Sequence, residues 1–363
     1  MELIVILLLI NSVRGSVVAV NNSYDKKNIK ILVIGDYCLD KYYYIDAELD
    51  QVADYAIKPS YFATNQSQYP GGAGNVTKNL VSLGADVYCF GIIGNDGAAF
   101  ELKNSLTVVG ANVDNLFAFE NCWTNIYLRP IRMSNLTRDT MNEIVCINKY
   151  TINQNMTKLI IDKLKEIAPQ MDAIVVVEQF NKEEVSVLNS AVKQVLINIS
   201  KIYNDKIFFV DSRNFIDKYE NMHIKCNQFE FAQLINKKNF PLSKTKELLK
   251  NGVKLGIKNK AFYLTTGENG MIVFDNLGNS FNIPAISTID DVDTCGAGDS
   301  ATAGIVMALC LGYDKLQASL IGNIVASITI KQIGVTGEAT FDEVFSLYDE
   351  KMKQVGYAKD TYA

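Results

Sequence analysis

Asp291-Val-Asp-Thr-Cys-Gly-Ala-Gly-Asp-Ser-Ala301 sets three small residues, Gly296, Ala297 and Gly298, and one carboxylate, Asp299, at the mouth of a helix. The helix is legible in the small, apolar run SATAGIVMALCL (300–311), with Gly312 as a left-handed stop. A helix start leaves N–H groups without intrahelical partners, so it is a ready anion site. The glycines let a phosphate come close to the backbone. A carboxylate repels a bound anion, so Asp299 reads as a base that takes a proton from a hydroxyl attacking phosphorus. It could equally cap the orphan N–H groups. This segment alone leaves both readings open.

Pro70-Gly-Gly-Ala-Gly-Asn-Val-Thr-Lys-Asn-Leu-Val-Ser-Leu-Gly84 is a second glycine-rich entry into a helix. Val76, Leu80 and Leu83 share one helical face and Gly84 closes it. Neither loop is a Walker A motif, because no Gly-Lys-Ser/Thr follows. Neither is a dinucleotide fingerprint, because the third glycine is missing.

Short apolar runs at 31–34, 87–93, 173–177, 207–210 and 261–265 read as buried parallel strands. Helical stretches, such as 158–167 and 183–199, lie between several of them. The alternation predicts an α/β fold: a doubly wound, mainly parallel sheet with helices on both faces. Ligands then gather beyond the carboxyl ends of the strands, where Asp36 to Asp40, the Gly71 loop and Asp211-Ser-Arg213 are expected. Two Tyr-, Thr- and Ile-rich regions, 41–69 and 120–149, break the alternation and read as extra strands outside the main sheet.

The two glycine segments, in this order and separation, resemble the ribokinase-like (pfkB) carbohydrate kinase family, over roughly residues 28 to 350. The resemblance implies an ATP-dependent kinase with Asp299 as general base and Gly296, Ala297 and Gly298 as anion hole. It implies a sugar site at Asp40, Gly71, Gly72 and Asn75. A carboxylate and an amide suit hydroxyls, since they accept and donate several hydrogen bonds. Asn227-Gln-Phe-Glu230 resembles the family's Asn-x-x-Glu element, which holds Mg²⁺ through water; it is also a helix-capping pattern. Thr265 and Gly267 match the nucleotide-contacting turn, Asn323 a position beside the adenine, and Asp293 a residue that in some relatives helps bind a monovalent cation such as K⁺. The extra strands correspond to a β lid over the sugar and often a homodimer contact. Proton removal late in a loose transition state asks for no unusual pKa at Asp299.

Among the subfamilies, Gly35-Asp-Tyr-Cys-Leu-Asp40 and Pro70 to Asn75 look closest to the heptose-7-phosphate kinase branch. That branch's proline-rich stretch is replaced here by the acidic Ala47 to Lys58. Glu178-Gln-Phe180 stands where relatives carry Asp-Tyr. A phosphorylated substrate would then draw its counter-charge from Lys41, Arg129 or Arg132. Two alternatives remain beside the sugar kinase. One is a nucleoside or other small-alcohol kinase of the same fold; the other is a non-catalytic sugar- or nucleotide-binding member.

Composition bounds the rest. The 363 residues are 48% hydrophobic, enough for a large core, and the net charge of −5 with no basic run speaks against nucleic acid. Seven scattered cysteines without a Cys-x-x-Cys pair fit a reducing compartment, hence a cytoplasmic protein. Cys295 lies near a helix start, where a thiol pKa can fall. The lone His223 excludes multi-histidine metal centres and reads as a surface or loop residue. MELIVILLLI is too short to span a bilayer and its n-region carries Glu2 without a basic residue. We therefore expect residues 1–27 to be an extension outside the kinase domain (28–355), with 356–363 a tail and no membrane contact; export is the minor alternative.

Overall fold

The computed structural model describes residues 28–53, 58–134, 138–236, 245–286 and 291–361. The expected N-terminal extension, 1–27, and the end of the expected tail, 362–363, lie outside them.

The chain enters on β1 (Lys30–Gly35), whose sequence KILVIG is apolar throughout because both its faces are covered. Ile31 and Val33 point into one core, Leu32 and Ile34 into the other. β1 lies between β6 (Asp86–Gly94) and β11 (Ala173–Glu178), parallel to both. Beyond β6 comes β7 (Asn112–Phe119). Beyond β11 come β12 (Ile207–Ser212), β13 (His223–Asn227), β14 (Ala261–Thr265), β15 (Met271–Asp275) and β16 (Ser280–Ile283). Among the described strands of this sheet, only β15 and β16, at the edge, pair antiparallel.

One face carries α1 (Ala73–Ser82), α2 (Gly97–Val108) and three helices from the end of the chain, α7 (Ala297–Cys310), α8 (Lys315–Thr329) and α9 (Phe341–Thr361). The other carries α3 (Gln154–Ile167), α4 (Ser190–Ile202), α5 (Gln228–Leu234) and α6 (Thr245–Lys258). This is the doubly wound α/β sheet that the alternation predicts. α7 is buried all round from Ser300 to Ala308, which explains its small residues. A Cβ on Gly304 would stand 2.7 Å from Val325 Cγ2, so the glycine lets α8 pack directly on α7.

The extra strands form a separate sheet in the order β10 (Ile144–Cys146), β8 (Asn125–Met133), β2 (Tyr37–Asp46), β5 (Ala63–Gly72), with β9 (Arg138–Thr140) on β8. A small hairpin, β3 (Gln51–Ala53) and β4 (Lys58–Ser60), stands beside them.

Four expectations change. Gly71 and Gly72 end a lid strand rather than a strand of the main sheet. The helix expected from 183 begins only at α4, where Asn189 accepts a hydrogen bond from Val192 N–H and sets the start. α9 runs into the stretch expected as tail. His223 is buried on β13, its Nδ1 3.0 Å from the Tyr263 hydroxyl, and burial holds its pKa down to about 3. It is a neutral core residue because a buried imidazolium has no carboxylate partner there.

Behind the strand ends, Glu178 and Lys193 form a buried ion pair, 2.6 Å apart, with Ser212 and Tyr219 donating to the other carboxylate oxygen. Burial pushes Glu178 up to about 7, against the pull of Lys193. Glu178→Ala leaves the ammonium with Glu183 alone. We expect a loss of about 3 kcal/mol in urea unfolding, and less for Glu178→Gln, which keeps an acceptor for the two hydroxyls.

Candidate active site

Two glycine segments, far apart in sequence, meet at the carboxyl end of the sheet. β5 hands the chain to α1 through Gly71 and Gly72. Gly72 has φ +58, and a Cβ there would lie 2.4 Å from the Asp36 carbonyl oxygen; one on Gly71 would lie 2.7 Å from Asp40 Oδ2. Bare backbone is what lets α1 start against Asp40. Asp36 itself is spent on structure: its carboxylate accepts from Gln179 N–H, Phe180 N–H and the Ser186 hydroxyl.

In the first turn of α1, the buried Asn75 donates from Nδ2 to Asp299 Oδ2 at 2.8 Å. Asp299 stands in the first turn of α7, which begins at Gly296 with φ +80. Ala297 N–H turns back to the Thr294 carbonyl at 3.2 Å, whereas the N–H groups of Gly298 and Asp299 find no acceptor among the described residues. Burial of its carboxyl, then the negative charge of Asp211, push Asp299 up to about 6, while Asn75, Lys225 and Arg213 pull it down. A loose transition state with late proton removal asks for no such shift. Burial is the larger cause, and Asp211, approaching from β12, adds to it.

Asp211 faces Lys225 across the parallel β12–β13 register, with Oδ2 2.9 Å from the buried Lys225 Nζ and 2.8 Å from the Thr302 hydroxyl that donates to it. A Cβ on Gly298 would be 3.6 Å from Lys225 Nζ, so the ammonium lies against the first turn of α7. The sequence reading missed Lys225. Its signal was a lysine inside the apolar strand HIKCN, where only a paired charge is tolerated.

On the lid side Asp40 is buried and meets Arg129, whose Nη1 is 3.2 Å from Oδ1 and which also pairs with Glu143 at 2.7 Å. The guanidinium lies over the rings of Tyr42 and Tyr127. Burial raises the Asp40 pKa, and Arg129 opposes it. Arg132 pairs instead with Asp50, and Lys41 with Glu101. Neither is a free substrate-phosphate ligand, and Arg129 is already matched by two carboxylates. Arg213, exposed just beyond β12, forms no ion pair among the described residues, yet its charge bears on Asp40, Glu230 and Asp299.

Asn227 and Glu230 form a complete capping box on α5: Asn227 Oδ1 accepts from Phe229 and Glu230 N–H, and Glu230 Oε2 accepts from Asn227 N–H at 2.7 Å. Glu230 is pushed up by burial and by Asp211. Among the described residues no three His, Cys, Asp or Glu side chains converge as a metal cage. Thr265 ends β14 and Gly267 opens the following turn at φ +63. Asn323 donates to the Pro284 carbonyl at 2.8 Å, which ties α8 to the end of β16. Asp293 accepts from Cys295 N–H and Gly334 N–H, each at 3.0 Å. Cys295 is exposed, and its thiol pKa is raised, chiefly by desolvation, rather than lowered.

No helix among the described residues is long and apolar enough to cross a membrane. The profile of the pfkB family carbohydrate kinases matches residues 29–340. Among similar proteins, the bifunctional protein HldE of Helicobacter hepaticus is 25% identical over 322 residues, 88% of this chain; the chain spans 64% of that protein's length. An uncharacterized sugar kinase of Buchnera aphidicola is 27% identical over 317 residues, covering 85% of this chain and 93% of its own. Among solved structures, phosphofructokinase-2 from Escherichia coli in complex with potassium aligns with a TM-score of 0.67 at 17% identity, over 90% of this chain and 99% of that one. Arabidopsis thaliana ribokinase complexed with ribose and ATP aligns with the same score at 15% identity, over 89% and 99%. With most of its length inside the matched profile and the ribokinase-like fold around the two glycine segments, the chain belongs to the pfkB family of carbohydrate kinases.

Proposed function

We propose that the chain transfers the γ-phosphoryl group of ATP to a hydroxyl of a sugar, with Asp299 as general base. The observation that carries this reading is the Asn75–Asp299 hydrogen bond. It joins Asp299, the proposed base, to the segment that resembles a sugar site. A hydroxyl held by Asp40 and Asn75 gives its proton to Asp299 as its oxygen attacks the γ-phosphorus; the bond to the bridging oxygen breaks and ADP leaves. The N–H groups of Gly298 and Asp299 take up charge on the transferred group's oxygens. Lys225 offsets Asp211 beneath them. Thr265, Gly267 and Asn323 line the nucleotide side.

Magnesium suits a hard oxygen donor such as Glu230, with the negative charge of Asp211 bearing on it and on Asp299. Glu230 keeps one carboxylate oxygen outside its capping bond and, with Asn227, would hold the ion through water. The ion supplies charge neutralisation on the phosphates.

The exposed lid side chains Val52, Ile144, Val145 and Trp123 support a homodimer through the lid. The seven free cysteines support a reducing, cytoplasmic setting.

Arg129 fixes Asp40 for the acceptor. Arg129→Met should raise the acceptor KM by about 10–100-fold while kcat falls less, because it loosens a binding carboxylate and leaves the base in place. Steady-state kinetics with varied acceptor would read it.

A second reading, a phosphorylated sugar as acceptor, rests on Arg213, the exposed arginine just beyond β12 that has no carboxylate partner among the described residues. The test is ADP release with ATP and magnesium over a panel of neutral sugars, sugar phosphates and nucleosides, with the product weighed by mass spectrometry. An acceptor gaining one phosphoryl group supports the proposal and separates the two readings. ATP binding without turnover on any sugar or sugar phosphate would sink it.

A further inference from the structure

Lys78 is a buried lysine that the phosphoryl-transfer chemistry above does not use. It lies one turn after Asn75 on α1. Its ammonium donates to the backbone carbonyl of Thr336, with the Thr336 hydroxyl 3.4 Å away, and it sits 5.9 Å from the centre of the Tyr69 ring. Desolvation lowers its pKa, with Glu338 opposing. Among the described residues it has no carboxylate at bonding distance, and a buried cation so placed is costly and needs a reason.

Its position supplies one. Thr336 packs on the anion hole: a Cβ on Gly296 would stand 3.4 Å from Thr336 Cγ2 and 2.7 Å from Asn75 Nδ2. The segment around Thr336 is held at two further points by Asp293, whose N–H donates to the Ile330 carbonyl and whose Oδ2 accepts from Gly334 N–H. The other Asp293 oxygen accepts from Cys295 N–H.

The family resemblance suggested a monovalent cation at Asp293. The residues present do not fit one well. Both Asp293 oxygens take backbone N–H groups, the Ile330 carbonyl is occupied by the Asp293 N–H, and the Thr336 carbonyl and hydroxyl face an ammonium. We propose that Lys78 is a tethered cation. It holds residues 330–337 against Gly296 in place of a free monovalent ion, and the protein therefore does not depend on potassium. Lys78 is a positioning residue: it acts through Thr336 and Gly296 and touches no reacting atom.

The proposal rests on the kinase reading for its effect on rate, but its ion requirement can be read without turnover. Thermal melting of the full chain is compared in potassium chloride and in tetramethylammonium chloride at equal ionic strength, for the parent, Lys78→Ala and Lys78→Met. We expect the parent to melt at the same temperature in both salts. Lys78→Ala should melt lower in tetramethylammonium and regain about 2–4 °C in potassium or ammonium, because a small ion refills the site. Lys78→Met, whose stem fills the space, should regain nothing. A parent that gains several degrees from potassium, or a Lys78→Ala chain indifferent to the ion, overturns the proposal. If Lys78→Ala does not fold, the parent's response and the Lys78→Met melt decide.

With an acceptor in hand, kcat is measured in the same salts. The parent should change by less than about twofold, and Lys78→Ala should lose about 100-fold in tetramethylammonium and recover at least about tenfold in potassium. A purely structural lysine would give a loss that no ion restores. A parent without turnover in either salt speaks against the kinase reading and leaves the melting result standing.

Discussion

Asp299→Asn will lower turnover by on the order of 10³-fold or more, while the protein stays folded and melts at a slightly higher temperature. On the proposed reading, the rate loss follows from removing the group that accepts the hydroxyl proton. Asparagine has nearly the same shape, and its side-chain carbonyl can still accept from Asn75 Nδ2, so the geometry of α1 and α7 survives. The gain in stability follows from the sign of the pKa shift. Asp299 is raised from its ordinary value to about 6, so the native state binds its proton more tightly than the unfolded chain does. Stability from this group is therefore highest below the unfolded pKa and is lost as pH rises through about 6; at neutral pH the ionised, crowded carboxylate is a cost. Solvent reaches part of the residue, so the relief is on the order of 1–2 kcal/mol. Calorimetric melting at pH 7.5 and pH 5 checks it: the advantage of the variant should shrink at the lower pH.

Gly296→Ala carries the second large effect, an expected loss of about 100-fold in kcat with a destabilisation of about 2 kcal/mol. Two causes add. Gly296 has φ +80, which an alanine adopts only with strain. Its Cβ would also come within 2.7 Å of Asn75 Nδ2, the atom that bonds Asp299. Asn75 cannot easily yield, because Asn79 Nδ2 reaches its carbonyl at 3.0 Å and its Oδ1 at 3.4 Å. Gly84→Ala separates the causes: Gly84 has φ +92, but its Cβ would meet nothing within 4 Å. That variant should lose stability and keep its activity.

The parallel sheet was legible because strands buried on both faces are apolar without interruption, as in KILVIG, and because helices of 3.6-residue period separate them. The Asn75–Asp299 meeting was legible only through the resemblance, since nothing local relates residues 224 positions apart. Gly71 was assigned to the wrong sheet because a strand leading into a glycine loop looks the same in a lid and in a main sheet. His223 was misplaced because a lone polar residue gives no sign of whether a partner such as the Tyr263 hydroxyl awaits it. The raised pKa of Asp299 comes from its burial and then from the approach of Asp211, neither of which the sequence encodes locally. The Asn227–Glu230 pair fits both readings given by its pattern, because a capping bond uses one carboxylate oxygen and leaves the other.

The central claim is that a raised Asp299 carboxylate is the base for phosphoryl transfer to a hydroxyl. The most direct measurement is the pH dependence of kcat/KM for the acceptor between pH 5 and 8, with Asp299→Asn alongside. The account predicts a single acidic limb near pH 6 in the parent and residual, pH-independent activity in the variant. A parent profile flat down to pH 5, or a variant within tenfold of the parent, would contradict it.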